Sequence, residues 1–207
     1  SVLLKHLIGL IAPDRGHIII DGEDLTQSDP VRCLALRRKF GMSFQEGALF
    51  DSMNVFENIA FPLRRHTAMT EGEIAARVRE CLGLVHLDGV ELKATNELSG
   101  GMRRRVGFAR AIALQPEILL FDEPNTGLDP ITAGVVNSVI VEMREHLGVT
   151  MVTITHDMNS AFRIADRIAM LRSGRIVASA SPEAFRSLSD PYIQKFLAGE
   201  PLEEDVA

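Results

Sequence analysis

Residues 118–124 read Ile-Leu-Leu-Phe-Asp-Glu-Pro, and no other stretch constrains the fold as tightly. The apolar run is too short for most helices and does not alternate, so it reads as a parallel strand buried on both faces. A strand of that kind needs helices over it and further strands beside it. The second half of the chain supplies both. A helix is predicted from Pro130, with proline in a favoured early position. Residues 149–157 read as a second buried strand and 158–166 as a short helix. Residues 167–179 read as a hairpin turning at Ser173-Gly174.

The first half is patterned differently. Val2, Leu3, Leu4, Leu7, Ile8 and Ile11 fall at helical spacing, so a helix is expected to run to about Ile11, before Ala12-Pro13-Asp14. Ile18–Ile20 followed by Asp21-Gly22 predicts a hairpin, and residues 37–45 a strand ending at Gln45. Residues 54–66 and 70–87 have helical period, the second opened by a Thr70/Glu73 capping pair. Residues 97–114 start with a Ser-Gly-Gly turn and continue as a helix. The expected fold class is α/β: a core of residues 1–45 and 109–180 around a parallel sheet. An inserted α-helical subdomain covers 46–108, and a C-terminal helical tail, 181–207, ends in a frayed acidic segment.

The bulk numbers narrow the function classes. Of 207 residues, 46% are hydrophobic and 24% charged, an ordinary globular balance. The net charge of -6 argues against a nucleic-acid partner, which needs a basic face. Cys33 and Cys81 lack metal-ligand spacing and read as reduced thiols of a cytosolic protein. No apolar run reaches the roughly 18 residues of a membrane span.

Three places carry candidate chemistry. Asp122 and Glu123 stand at the carboxyl end of the buried strand, where ligands of open parallel sheets bind. Two acids there suit a Mg²⁺-bound nucleotide, with Asp122 in the metal shell and Glu123 polarising a water; a solvated acidic turn is the plain alternative. Ser99, Gly100 and Gly101 head a helix, so backbone N–H groups converge where an anion could sit; a simple helix cap is the alternative. Arg103, Arg104 and Arg105, which follow, read as the solvated face of that helix. His156 follows a buried strand as Asp122 does, toward the same sheet edge, and could donate to a phosphate oxygen.

Taken together, Leu98–Met102 (LSGGM), Ile118–Pro124, Asn125–Pro130 (NTGLDP) and Thr155-His156-Asp157 occur in an order that resembles the nucleotide-binding subunit of ATP-binding cassette (ABC) transporters. The resemblance covers essentially the whole chain and implies a P-loop NTPase (RecA-like) core. It matches Leu98–Met102 to the signature motif and Ile118–Asp122 to Walker B, with Glu123 as catalytic carboxylate. Gly127–Asp129 would be the D-loop, Gln45 the Q-loop and His156 the switch histidine. It implies ATP and Mg²⁺, with Ser1, Gln45 and Asp122 around the metal. It also implies a head-to-tail homodimer in which Ser99, Gly100, Gly101 and Asp129 face the nucleotide of the other copy. Ser1 matches the last position of G-x-x-x-x-G-K-[ST], so the chain is expected to be a fragment cut inside that loop, binding ATP poorly alone.

Residues 44–67, with Met102 at a signature position where Gln is commoner, resemble the cassettes of Mce/Mla-type lipid transporters. That implies a peripheral subunit on the cytoplasmic face of the inner membrane, two integral membrane permease subunits and a Mce-type lipid-binding component. Phe50, Met53, Val55 and Phe56 would be either core or permease contacts. Asn125 stands where the family commonly has Thr, beside the D-loop. Two other readings stay open: a non-hydrolysing cassette that lends its signature to an active partner, and a soluble ABC ATPase outside transport.

Overall fold

Helix α1 spans Val2–Leu7, a turn shorter than the apolar spacing predicts. The computed structural model describes residues 1–201, which divide after Thr155 into two units. In the first unit, the early stop of α1 comes from Gly9, which takes a left-handed backbone (φ 66°) that ends a helix readily. Arg37 seals the end by donating to the carbonyls of Ile8 at 3.1 Å and Gly9 at 2.6 Å. Strands β1 (Ile19–Ile20) and β2 (Glu23–Asp24) form the expected hairpin. Asp21 and Gly22 both have positive φ (50° and 80°), as a two-residue turn matched to strand twist requires. Helix α2 (Pro30–Arg37) starts on Asp29, whose carboxylate accepts from the amides of Val31 and Arg32.

Strand β3 covers Phe40–Ser43 and stops two residues before the predicted end; Gln45–Gly47 instead form a 3-10 turn. Helices α3 (Val55–His66) and α4 (Glu71–Leu84) follow, and α5 spans Gly100–Ile112. The Thr70/Glu73 capping box forms as read, and α3 carries a second one, Asn54/Glu57. Strand β4 (Ile118–Asp122), helix α6 (Pro130–Leu147) and strand β5 (Thr150–Ile154) complete the unit.

The sheet of this unit has the order β3-β4-β5, all parallel, with Phe40 opposite Ile118 and Asp122 opposite Ile154. Central β4 is buried: Leu119, Leu120 and Phe121 have no exposed surface. Each such side chain contributes about 1.5–3 kcal/mol of burial. Helix α5 covers the sheet closely. Phe108 meets Phe121 edge-on at 4.9 Å between ring centres. A Cβ on Gly41 of β3 would lie 2.2 Å from the Ala111 carbonyl, so glycine alone permits that approach. Helix α5 packs on α3 and α4 as well as on β3.

The second unit begins at His156. Helix α7 (Met158–Ile164) precedes the hairpin of β6 (Ile168–Arg172) and β7 (Arg175–Ala180), which turns at Ser173-Gly174 as predicted. Helices α8 (Pro182–Arg186) and α9 (Pro191–Ala198) close around Phe185, Ile193, Ile168 and Met170. The acidic end predicted to fray lies outside the described residues from 202 on.

Candidate functional site

Parallel pairing brings the carboxyl ends of β3, β4 and β5 to one edge of the sheet. Gln45, exposed in its 3-10 turn, leaves that edge beside the acids that end β4. Asp122 is 6% exposed, and among the described residues its Oδ1 takes part in no hydrogen bond. The nitrogen of Ser1 stands 3.4 Å from that oxygen. A buried carboxylate oxygen in this condition is costly unless a cation or donor completes it.

Glu123 is half-buried and takes a left-handed backbone (φ 49°), held by its amide donating to the Ile154 carbonyl at 2.9 Å. For a residue with a Cβ this backbone costs about 1–2 kcal/mol. It turns the chain sharply off the strand end. Thr126 Oγ1 donates to Glu123 Oε2 at 3.0 Å, and the Asn125 side chain donates to Asn137 of α6 at 2.7 Å.

Ser99 caps α5, its hydroxyl accepting from the Met102 amide at 3.3 Å. The turn packs against the start of α6. A Cβ on Gly100 would lie 3.5 Å from Leu128 Cδ2, and one on Gly101 would lie 2.4 Å from Thr132 Cγ2. Asp129 caps α6: Oδ1 accepts from the amides of Ile131 and Thr132 at 3.0 Å each, Oδ2 from the Thr132 hydroxyl at 2.5 Å. The Thr132 hydroxyl, then the amides, hold the Asp129 carboxyl below its ordinary range. Two groupings result in this unit: Ser1, Gln45, Asp122 and Glu123 at the sheet edge, and Ser99, Gly100, Gly101 and Asp129 where α5 meets α6. His156 belongs to the second unit, exposed, immediately before the Asp157 cap of α7.

The arginines of α5 correct the expectation of a solvated face. Arg103 is exposed, but Arg104 is 5% exposed and donates to the carbonyl of Thr126. Arg105 is half-buried and donates to the carbonyls of Val85 at 3.1 Å and His86 at 3.0 Å. Burial lowers the pKa of both from the ordinary guanidinium value. Helix α5 also grips the turn after β3, through Arg110 donating to the carbonyls of Gly47 and Ala48 at 2.9 Å each. Arg104 and Asn137 lie outside the motifs, and Thr126, though within Asn125–Pro130, has no assigned role there. Their roles come from contacts over 12 to 22 positions, apart from the local Thr126–Glu123 bond.

The second resemblance pointed to residues 44–67, and there the side chains divide. Val55 is fully buried, Phe50 is exposed, and Met53 and Phe56 are half-buried. Met53, Phe61, Ser52, Glu57, Arg64 and Arg65 line a groove of about 460 Å³. Asn58, fully buried, fixes the loop before α3 by accepting from the Phe50 amide and donating to the carbonyls of Phe50, Met53 and Asn54.

No group of three or more His, Cys, Asp or Glu side chains could hold a metal among the described residues. Asp122 still fits a Mg²⁺ ion, which keeps several waters and takes one or two carboxylates together with substrate phosphates. No helix among the described residues is long and apolar enough to cross a membrane.

Comparison with known proteins bears on this arrangement. A family model described as "ABC transporter" matches residues 1–126. The chain is 43% identical over 199 residues to "Probable ribonucleotide transport ATP-binding protein mkl" of Mycobacterium tuberculosis, covering 96% of this chain and 55% of that one. It is also 43% identical to "Intermembrane phospholipid transport system ATP-binding protein MlaF" of Escherichia coli, covering 96% and 74%. The chain therefore spans little more than half the length of its mycobacterial relative. Among solved structures, a dimeric post-hydrolysis state of the ATP-binding cassette MJ0796 with ADP and Pi superposes with a TM-score of 0.78. It is 32% identical and covers 88% of this chain and 80% of that chain. Acids at the end of a central parallel strand are thus set in an α/β P-loop NTPase fold, and the chain belongs to the ABC transporter family.

Proposed function

We propose that this chain is the ATP-hydrolysing subunit of an ABC transporter that moves phospholipid between bacterial membranes. One observation carries the enzymatic part: β4 delivers Asp122, buried and, among the described residues, with Oδ1 in no hydrogen bond and only the Ser1 nitrogen near it at 3.4 Å, and beside it Glu123 on a left-handed backbone. The match to the phospholipid-system protein of Escherichia coli supports the cargo.

Asp122, with Ser1 and Gln45, would hold Mg²⁺, which would offset charge on the nucleotide phosphates. Glu123 accepts a proton from the attacking water and orients it in line with the terminal phosphate. His156 donates a hydrogen bond to a phosphate oxygen. Ser99, Gly100, Gly101 and Asp129 face the nucleotide of a second copy, so a two-fold dimer closes two composite sites; the dimeric MJ0796 cassette supports that arrangement.

Residues 1–45 and 109–180 act as the nucleotide-binding core, 46–108 as the helical part and 181–207 as the tail. The groove lined by Met53, Phe61, Arg64 and Arg65 receives an element of one integral permease subunit, so that the dimer engages two. Docking there holds the subunit at the cytoplasmic face of the inner membrane, and a Mce-type component carries the lipid.

The test uses the full-length protein with its permease in phospholipid vesicles, measuring phosphate release and lipid transfer. Glu123→Gln is expected to keep ATP binding, abolish both activities and accumulate a closed dimer. Hydrolysis at the parent rate by that variant removes Glu123 from its role. ATP-dependent movement of ribonucleotides in place of lipid, as the mycobacterial relative's name describes for that protein, overturns the cargo.

A further inference from the structure

We propose that Arg104 and Thr126 are positioning residues that tie the phosphate-facing turn at the head of α5 to the carboxylate of Glu123. The inference rests on the reading of Glu123 as the group that orients the attacking water. One guanidinium spans the two parts. Arg104 Nη1 reaches the Gly100 carbonyl at 3.5 Å, within the turn, and Nη2 donates to the Thr126 carbonyl, within the loop that follows β4. Thr126 then holds Glu123 twice, through the hydroxyl to Oε2 at 3.0 Å and the amide to the Glu123 carbonyl at 3.4 Å.

The physics of a buried guanidinium makes this a stiff link. Arg104 is 5% exposed, and its donors lie in one plane at fixed angles. Stripping a buried charged donor of its acceptor is costly, so the carbonyls follow the plane of the side chain. The turn has little slack of its own. The Cβ positions that Gly100 and Gly101 leave empty are bounded by Leu128 at 3.5 Å and Thr132 at 2.4 Å, on the far side of the same loop. A displacement of the turn toward a phosphate is therefore carried into residues 126–129. Glu123 is poised to respond, because its left-handed backbone is pinned to Ile154 while the direction of its carboxylate depends on side-chain bonds such as that from Thr126.

In a head-to-tail dimer, the phosphate that engages the turn belongs to the other copy's nucleotide. Arg104 and Thr126 would then let that nucleotide set the aim of the carboxylate acting on this copy's own nucleotide. The link runs inside one chain.

The test is steady-state ATP hydrolysis by the full-length protein carrying Thr126→Val, Thr126→Ser, Arg104→Met or Glu123→Gln. Misaiming a catalytic group by about 1 Å costs on the order of 100-fold. Thr126→Val is thus expected to lower kcat about 10- to 100-fold with KM for ATP unchanged, and Thr126→Ser to restore most of it. Arg104→Met should reproduce the Thr126→Val loss, and the double variant should be little worse than either, because the two act as one unit. If Glu123→Gln abolishes hydrolysis while Thr126→Val keeps the parent kcat, the link is wrong and the role of Glu123 stands. The link is also wrong if Thr126→Ser fails as badly as Thr126→Val. Parent-rate hydrolysis by Glu123→Gln removes the underlying reading, and the link falls with it.

Discussion

The side-chain amide of Asn125 donates to Oδ1 of Asn137 at 2.7 Å, with the two residues 7% and 5% exposed. This bond joins the loop after β4 to the middle of α6. In a buried setting, removing one partner strands the other at about 1–3 kcal/mol. Asn137→Ala is expected to lose that much in urea unfolding. A double-mutant cycle with Asn125→Ala should return a coupling of about 1 kcal/mol. Strictly additive losses would mean the two amides do not stabilise each other.

Gly107 of α5 faces the turn after β3. A Cβ there would lie 2.8 Å from Gly47 Cα and 3.2 Å from the Gly47 carbonyl oxygen, both backbone atoms. Gly107→Ala must therefore push α5 and the Gln45–Gly47 turn apart. The expected loss is about 1–3 kcal/mol, read as a lower urea midpoint. A variant as stable as the parent would show that this contact has room to spare.

Asn58 is the peg of the loop that lines the groove. Its side chain makes one bond to the Phe50 amide at 2.8 Å and three to carbonyls at 3.0–3.2 Å. Asn58→Leu keeps the volume but leaves the Phe50 amide without this partner. A loss of about 3 kcal/mol or more is expected, since several backbone groups go unpaired together. Amide exchange at Phe50 should speed up with it; unchanged exchange would remove Asn58 from that role.

Cys81 gives a pH signature. Burial pushes its thiol up from about 9 to about 11, with Arg77 pulling the other way. A raised folded-state value means that stability is full below about 9 and is lost as pH rises toward about 11. The unfolding free energy should fall across that window, and the fall should be shallower in Cys81→Ala. At neutral pH, iodoacetamide followed by mass spectrometry should modify half-buried Cys33 before fully buried Cys81. Equal labelling of the two would contradict the burial of Cys81.

The amino-acid sequence by itself determined what is decided within a few positions. The turns at Asp21-Gly22 and Ser173-Gly174, the Thr70/Glu73 cap and the strand at Ile118–Asp122 depend on backbone preference and on residues one to four places away. The Gly9 stop of α1 was equally local, but the longer apolar spacing masked it. The tertiary structure alone decided which of three consecutive arginines is buried. Neighbours on a helix point about 100° apart, so only what packs against α5 separates exposed Arg103 from Arg104 on Thr126 and Arg105 on Val85 and His86. The pairing of Asn125 with Asn137 and the contact of Gly107 with Gly47 belong to the same class. Each joins side chains or backbones that chain order keeps apart, and close packing fixes which of them meet.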